Sequence, residues 1–233
     1  MRVLLATLHS KFIHPSLALP CLAAFCHDLP VALTIREFTV HEPKESILAA
    51  LLAAEPEVVA FSVYLWNRRE TLELVDALAV ARPGLKLVLG GPEVSFDGAE
   101  LFHRHPGLTA LVRGEGELPL HGLLAAWAAK AEPVAVPRLA WRRGESVIEG
   151  PDGPLLASLD DLPSPFALGL VDLSRGFVYY ESSRGCGQDE PPRHKTSGSK
   201  RKIEPQFRLQ SCESFDSTPG RRRSSGGSCR GEG

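Results

Sequence analysis

Five short apolar runs, each followed by a helix-patterned stretch, recur at regular spacing along the first 130 residues, and this alternation restricts the fold more than any other feature. Residues 3–8, 32–40, 58–63, 85–89 and 109–112 have strand length. Residues 16–27, 44–54, 69–80, 98–105 and 118–130 carry helical patterning, with stops at Glu55-Pro56 and Pro83-Gly84. Strands that are apolar almost without interruption are buried on both faces, which calls for a parallel sheet covered by helices on either side. Right-handed crossovers then leave few topologies. The expectation is an α/β fold with a doubly wound, five-stranded parallel sheet, flavodoxin-like or Rossmann-like. The leading strand order is 2-1-3-4-5, with a dinucleotide-binding order second and the short fifth strand at an edge.

Beyond residue 130 the pattern changes. Residues 136–142 and 146–149 flank Arg143-Gly144-Glu145 as a β-hairpin, residues 159–166 are Pro-rich and extended, and residues 177–182 read as a strand running into Ser183-Arg184-Gly185-Cys186. This divides the chain into an α/β domain over 1–130, a hairpin and extended linker over 131–176, a strand segment over 177–186, and a tail over 187–233. In the tail only Ile203, Phe207, Leu209, Cys212, Phe215 and Cys229 are apolar among 47 residues, with no Ala or Val. Such a segment cannot offset the entropy of ordering itself and is expected to be disordered.

Charge narrows the function classes. Residues 1–186 carry 16 Lys and Arg against 22 Asp and Glu, whereas residues 187–233 carry 10 against 6. A mildly acidic body has no electrostatic footprint for nucleic acid, so no nucleic-acid function is expected. No apolar run reaches the length of a membrane span, and the N-terminus reads as a strand rather than a signal segment; a cytoplasmic protein without a membrane partner is the expectation. The five cysteines form no disulfide framework. Cys21 and Cys26, five apart on a helix, read as small core hydrophobes.

In an open parallel sheet the ligand crevice lies at the carboxyl ends of the strands, so the loops after the strands carry the candidates. Loop one holds His9, Ser10, Lys11 and His14 without a glycine, which excludes the GxGxxG turn of nicotinamide-binding domains. A phosphate-accepting receiver domain is excluded too, because neither the first nor the third strand ends in the acidic residues it needs. Loop four, Gly90-Gly91-Pro92-Glu93, places two residues without Cβ after a buried strand, where a large ligand can approach the backbone or an ordinary tight turn can form. Loop five, Arg113-Gly114-Glu115-Gly116-Glu117, adds glycines and polar groups, with Glu117 placed to cap the next helix. Ser62, Tyr64 and Trp66 alternate past the third strand, so a hydroxyl and an aromatic ring can face the crevice together. The competing role for Trp66 is core packing.

Together these stretches resemble the N-terminal cobalamin-binding domain of B12-dependent radical SAM proteins. The resembling residues are Ser10-Lys11-Phe12-Ile13-His14-Pro15-Ser16-Leu17-Ala18, Phe61-Ser62-Val63-Tyr64-Leu65-Trp66-Asn67, Gly90-Gly91-Pro92-Glu93-Val94-Ser95 and Arg113-Gly114-Glu115-Gly116-Glu117. The likeness continues through Leu159-Asp160-Asp161-Leu162-Pro163-Ser164-Pro165-Phe166 to Tyr180-Glu181-Ser182-Ser183-Arg184-Gly185-Cys186 and covers about four fifths of the chain. It implies cobalamin as cofactor, its nucleotide tail between the Ser62 and Gly90-Gly91 loops and its corrin across the strand ends. The implied binding residues are Lys11, Ser62, Tyr64, Gly90, Gly91, Pro92, Glu93, Gly114, Glu115 and Gly116.

Two departures from the resembled pattern matter. The Asp-x-His-x-x-Gly motif that supplies a cobalt ligand in other cobalamin domains is absent, since neither His9 nor His14 has its Asp and Gly partners. Second, Cys186 would be the first thiolate of a Cys-x-x-x-Cys-x-x-Cys set holding a [4Fe–4S] cluster that binds S-adenosylmethionine, yet positions 190 and 193 are Glu190 and Arg193. Intact relatives would carry the cluster and S-adenosylmethionine. In this chain Cys186 is expected to be an incomplete iron–sulfur remnant at the start of a truncated barrel. The tail after Gly187 reads either as a genuine disordered segment or as the product of a wrong reading frame. The resulting expectation is a cobalamin-binding module that binds but does not turn over. The alternatives are a Rossmann-like transferase or hydrolase for a nucleotide-type ligand, with His14 or Glu115 in acid/base roles, and a non-binding remnant.

Overall fold

The computed structural model describes residues 1–10, 15–154, 156, 158–175, 178–181 and 184. Lys11, His14, Cys186 and the tail over 187–233 lie outside the described residues. The elements run β1 (Arg2–His9), α1 (Ala18–Phe25), β2 (Ala32–Thr39), α2 (Lys44–Ala53), β3 (Val58–Ser62), α3 (Arg68–Ala81), β4 (Lys86–Gly90), α4 (Ala99–Arg104), β5 (Leu108–Val112), α5 (Glu117–Ala128), β6 (Leu139–Arg143) and β7 (Ser146–Glu149).

All seven strands join one sheet in the order β2-β1-β3-β4-β5-β6-β7. The pairs β1·β2, β1·β3, β3·β4 and β4·β5 are parallel, in the 2-1-3-4-5 order expected. The period-two alternation of each strand sends successive side chains to opposite faces. Leu4, Ala6, Leu8, Val59, Phe61, Leu87 and Leu89 pack under α2, α3 and α4 through Ile47, Leu51, Leu74, Leu78, Leu101 and Phe102. Val3, Leu5, Val58, Ala60, Val88 and Ala110 face α1 and α5 through Leu19, Ala23, Leu120, Leu123 and Leu124. Two apolar layers on one sheet are what the unbroken apolar strands require.

The five-stranded expectation is corrected to seven. The hairpin is not a separate connector: β6 pairs antiparallel with β5, placing Trp141 opposite Ala110 and Leu139 opposite Val112, and β7 pairs with β6. The physical reason lies in its two faces. Leu139 and Trp141 join the α1/α5 layer, Ala140 joins the opposite layer, and Arg142 donates to the carbonyls of Leu108 (3.1 Å) and Phe102 (2.7 Å). β5 is therefore an interior strand, and its open ladder is filled by β6.

The strand expected over 177–182 is not formed at its described positions, 178–181. Those described residues pair with no strand of the sheet. Among the described residues no helix is long and apolar enough to cross a membrane.

Candidate functional site

A cleft of about 970 Å³ opens at the carboxyl ends of β1, β3, β4 and β5, on the face covered by α1 and α5. Its floor follows from the strand register. Thr7 pairs with Ser62 across β1 and β3, and Ser62 pairs with Gly90 across β3 and β4, so three small residues stand side by side on one face. One pleat inward the same row is Leu5, Ala60 and Val88. Shortening the side chains toward the strand ends leaves a hollow that α1 and α5 do not fill. The sequence reading identified Ser62 and Gly90 but missed Thr7 and Ala60. A small residue at the matching position of each successive strand was the available signal.

Three residues hold the loops around this hollow. Asn67, fully buried, accepts from the Tyr64 N–H (2.8 Å) and donates to the carbonyls of Leu8 (2.9 Å) and Ser62 (3.3 Å), binding the first and third loops together. Arg68, at the start of α3, donates to the Glu93 carbonyl (2.7 Å) and lies 2.8 Å from the Asp97 carboxylate, clamping loop four from behind. Ser95 donates from its hydroxyl to the Gly91 carbonyl (2.7 Å) and accepts from the Gly114 N–H (3.1 Å), joining loops four and five.

Of the residues singled out from sequence, Ser62, Tyr64, Gly90, Gly91, Pro92, Gly114, Glu115 and Gly116 all line this one cleft. Glu93 is not among the lining residues. Gly91 adopts a left-handed φ of +108°, and the chain beyond it carries Glu93 toward Arg68, whose Nη1 is 3.9 Å from the carboxylate. Tyr64 and Trp66 lie beyond the end of β3 and stack with ring centroids 4.6 Å apart. Core packing does not describe Trp66: the residue is 48% exposed at the mouth and its indole N–H donates to the Leu8 carbonyl (3.0 Å). Phe96, 98% exposed, lines the same cleft.

Electrostatics divide the lining. Glu117 is the first residue of α5, 4% exposed, and its carboxylate is 2.9 Å from Arg184, which also meets Glu181 at 2.8 Å. The expected capping role gives way to this ion pair, for which the sequence offered no signal 67 positions away. Glu115, the acid/base candidate of the alternative reading, has Oε2 accepting from the Leu156 N–H (3.1 Å). His9 lines the cleft with Nε2 3.6 Å from the Glu37 carboxylate. Burial pushes the Cys21 thiol up to about 11 and the Cys26 thiol up to about 12, so both stay protonated at neutral pH and behave as core hydrophobes. Among the described residues no group of His, Cys, Asp or Glu is arranged to hold a metal ion.

The family model for the B12 binding domain matches residues 2–124. The chain belongs to the B12-binding domain family. The match spans β1 through most of α5, the elements that build the cleft. Within this family the chain is 35% identical over 142 residues to a cobalamin-dependent radical SAM methyltransferase, TokK, from Streptomyces tokunonensis. It is 32% identical over 142 residues to 2-(S-pantetheinyl)-carbapenam-3-carboxylate methyltransferase from Streptantibioticus cattleyicolor. Each alignment covers 57% of this chain and 21% of the relative, so the chain spans about a fifth of the length of these proteins. Among solved structures, the radical S-adenosylmethionine methyltransferase TsrM from Kitasatospora setae, with cobalamin and a [4Fe-4S] cluster bound, superimposes with a TM-score of 0.56 at 19% identity. That match covers 69% of this chain and 30% of TsrM, and it shows the shared fold. The B12-binding domain here therefore corresponds to an N-terminal module of cobalamin-dependent radical SAM methyltransferases.

Proposed function

We propose that this cleft is where the chain holds cobalamin, with the nucleotide tail lying over the shelf of Thr7, Ser62 and Gly90 and the corrin at the strand ends near Tyr64 and Trp66. The observation that carries the reading is the shelf itself: three register-paired small residues at the floor of a cleft of about 970 Å³. A large ligand needs depth without charge beneath it, and the shelf supplies that depth. When bound, cobalamin supplies a cobalt centre that carries an alkyl group, and the protein's part is to position and shield it.

The chain's own residues divide that part. Ser62, Gly90 and Gly91 border the shelf, Gly114, Glu115 and Gly116 form the opposite rim, and Lys11 of loop one is assigned to the same site. Pro92 stiffens the turn of loop four. Glu93 contributes through Arg68, by holding that loop, rather than by contact. The absence of an Asp-x-His-x-x-Gly motif supports binding without a protein imidazole on cobalt. Cobalamin held by these residues would then be expected to give a base-off spectrum.

The rest of the chain is assigned on the same footing. Residues 150–176, beyond β7, link the cobalamin module to residues 177–186, which are the entry to a radical SAM barrel, and Cys186 is a remnant without thiolates at 190 and 193. The chain then binds cobalamin but holds no cluster. Anaerobic reconstitution with iron and sulfide tests this: the expected result is no stoichiometric iron and no charge-transfer absorbance, and a loaded cluster would contradict it.

A further inference from the structure

Charge in the cleft is unevenly matched. Arg184 is held between Glu117 and Glu181, at 2.9 and 2.8 Å, so its charge is taken. Arg138, in the turn before β6, also lines the cleft, and among the described residues no carboxylate lies within ion-pairing distance of it. Its Nε donates to the Gly153 carbonyl at 2.8 Å, which fixes the side chain and leaves the Nη groups for another acceptor.

The surroundings aim this group. Arg138 has a left-handed φ of +55°, uncommon for a residue with a side chain, and its backbone is pinned on both sides. Its N–H donates to the Pro151 carbonyl (2.8 Å), and its carbonyl accepts from the Arg113 N–H (2.9 Å). Nη1 lies 2.9 Å from the point where a Cβ on Gly114 would stand, so the glycine at loop five is what lets the guanidinium reach the rim. That rim opens α5, a helix of 12 residues whose N-terminal end favours negative charge.

A fixed guanidinium without a carboxylate, beside a helix N-terminus, suits a phosphate oxygen. We infer that Arg138 is the anion-recognising residue of the cleft and takes the phosphodiester that joins cobalamin's nucleotide to its corrin side chain, an inference that rests on the proposed cobalamin site. Arg138 thereby makes the cleft selective for the complete cofactor over cobinamide, which lacks the nucleotide and its phosphate.

The test compares hydroxocobalamin and cobinamide titrated into the full chain, its Arg138→Gln variant and its Arg138→Lys variant, followed by absorbance, with melting temperatures recorded alongside. Arg138→Gln is expected to weaken cobalamin by about tenfold to a hundredfold, the loss of a charge-assisted contact, and to leave cobinamide unchanged. Arg138→Lys recovers part of the loss, and raising the salt weakens cobalamin binding by the unaltered chain more than by the Gln variant. Unchanged cobalamin affinity in Arg138→Gln would overturn the inference. So would an equal loss for both ligands, which assigns Arg138 a structural role through Gly153. Failure of the unaltered chain to bind cobalamin would overturn the site and the inference together.

Discussion

Gly90 and Gly91 are adjacent in one loop and exclude a side chain for different reasons. A Cβ on Gly91 would stand 2.5 Å from the Val63 carbonyl oxygen and 2.8 Å from its nitrogen, at a φ of +108° that side chains rarely adopt. Gly91→Ala is therefore expected to destabilise the fold by about 1–3 kcal/mol, measured by urea unfolding, whether or not a ligand is present. A Cβ on Gly90 would first meet Val112, its side chain at 3.4 Å and its carbonyl oxygen at 3.8 Å, ordinary van der Waals distances. Gly90→Ala should fold with near-normal stability and yet weaken cobalamin by at least about fivefold in a titration, because it raises the shelf. The glycine pair was legible in the sequence, but which glycine serves the ligand depends on Val63, 28 positions earlier. Asn67 was likewise visible as a residue and not as a brace, since one of its acceptors is the carbonyl of Leu8. The thiols give a pH dependence. Their folded-state values stand above the ordinary 9.0, at about 11 for Cys21 and about 12 for Cys26, because burial disfavours the thiolate. Their contribution is thus full below pH 9 and lost as pH rises from there through these values, so unfolding midpoints should fall across that window. The fall should be shallower in Cys26→Ala.

At the scale of elements, the five strand–helix units were readable because each strand is apolar on both faces and each helix is bounded by turn or proline signals. The ends of elements moved by one or two residues: α1 starts at Ala18 rather than 16, with Ser16 Oγ accepting from the Leu19 N–H at 3.3 Å. The hairpin was readable as a hairpin and its destination was not. An antiparallel pair with one apolar face can dock on any open edge, and only Trp141, Leu139 and Arg142 acting together select β5. Its removal should cost the fold its border beyond β5. A chain ending at residue 130 exposes the β5 ladder and the seat of Trp141, and is expected to self-associate in size-exclusion chromatography, whereas one ending at residue 154 stays monodisperse. Equal behaviour of the two would show that the hairpin is dispensable.

At the scale of the whole molecule, the cleft lies where a doubly wound sheet places ligands, at the carboxyl ends of its strands, and the family model covers the elements that build it. At the mouth Trp66 and Phe96 leave large apolar rings in water beside the half-buried Tyr64, an arrangement that a flat macrocycle would cover. The chain spans about a fifth of the length of its curated relatives. The most direct measurement is an absorbance titration of the purified full chain with hydroxocobalamin. The expected result is saturable one-to-one binding with conversion of the cofactor to its base-off spectrum, at unchanged amplitude after His9→Ala. No binding at saturating protein would contradict the cobalamin assignment, and a bound cofactor that stays base-on would contradict the proposed base-off mode.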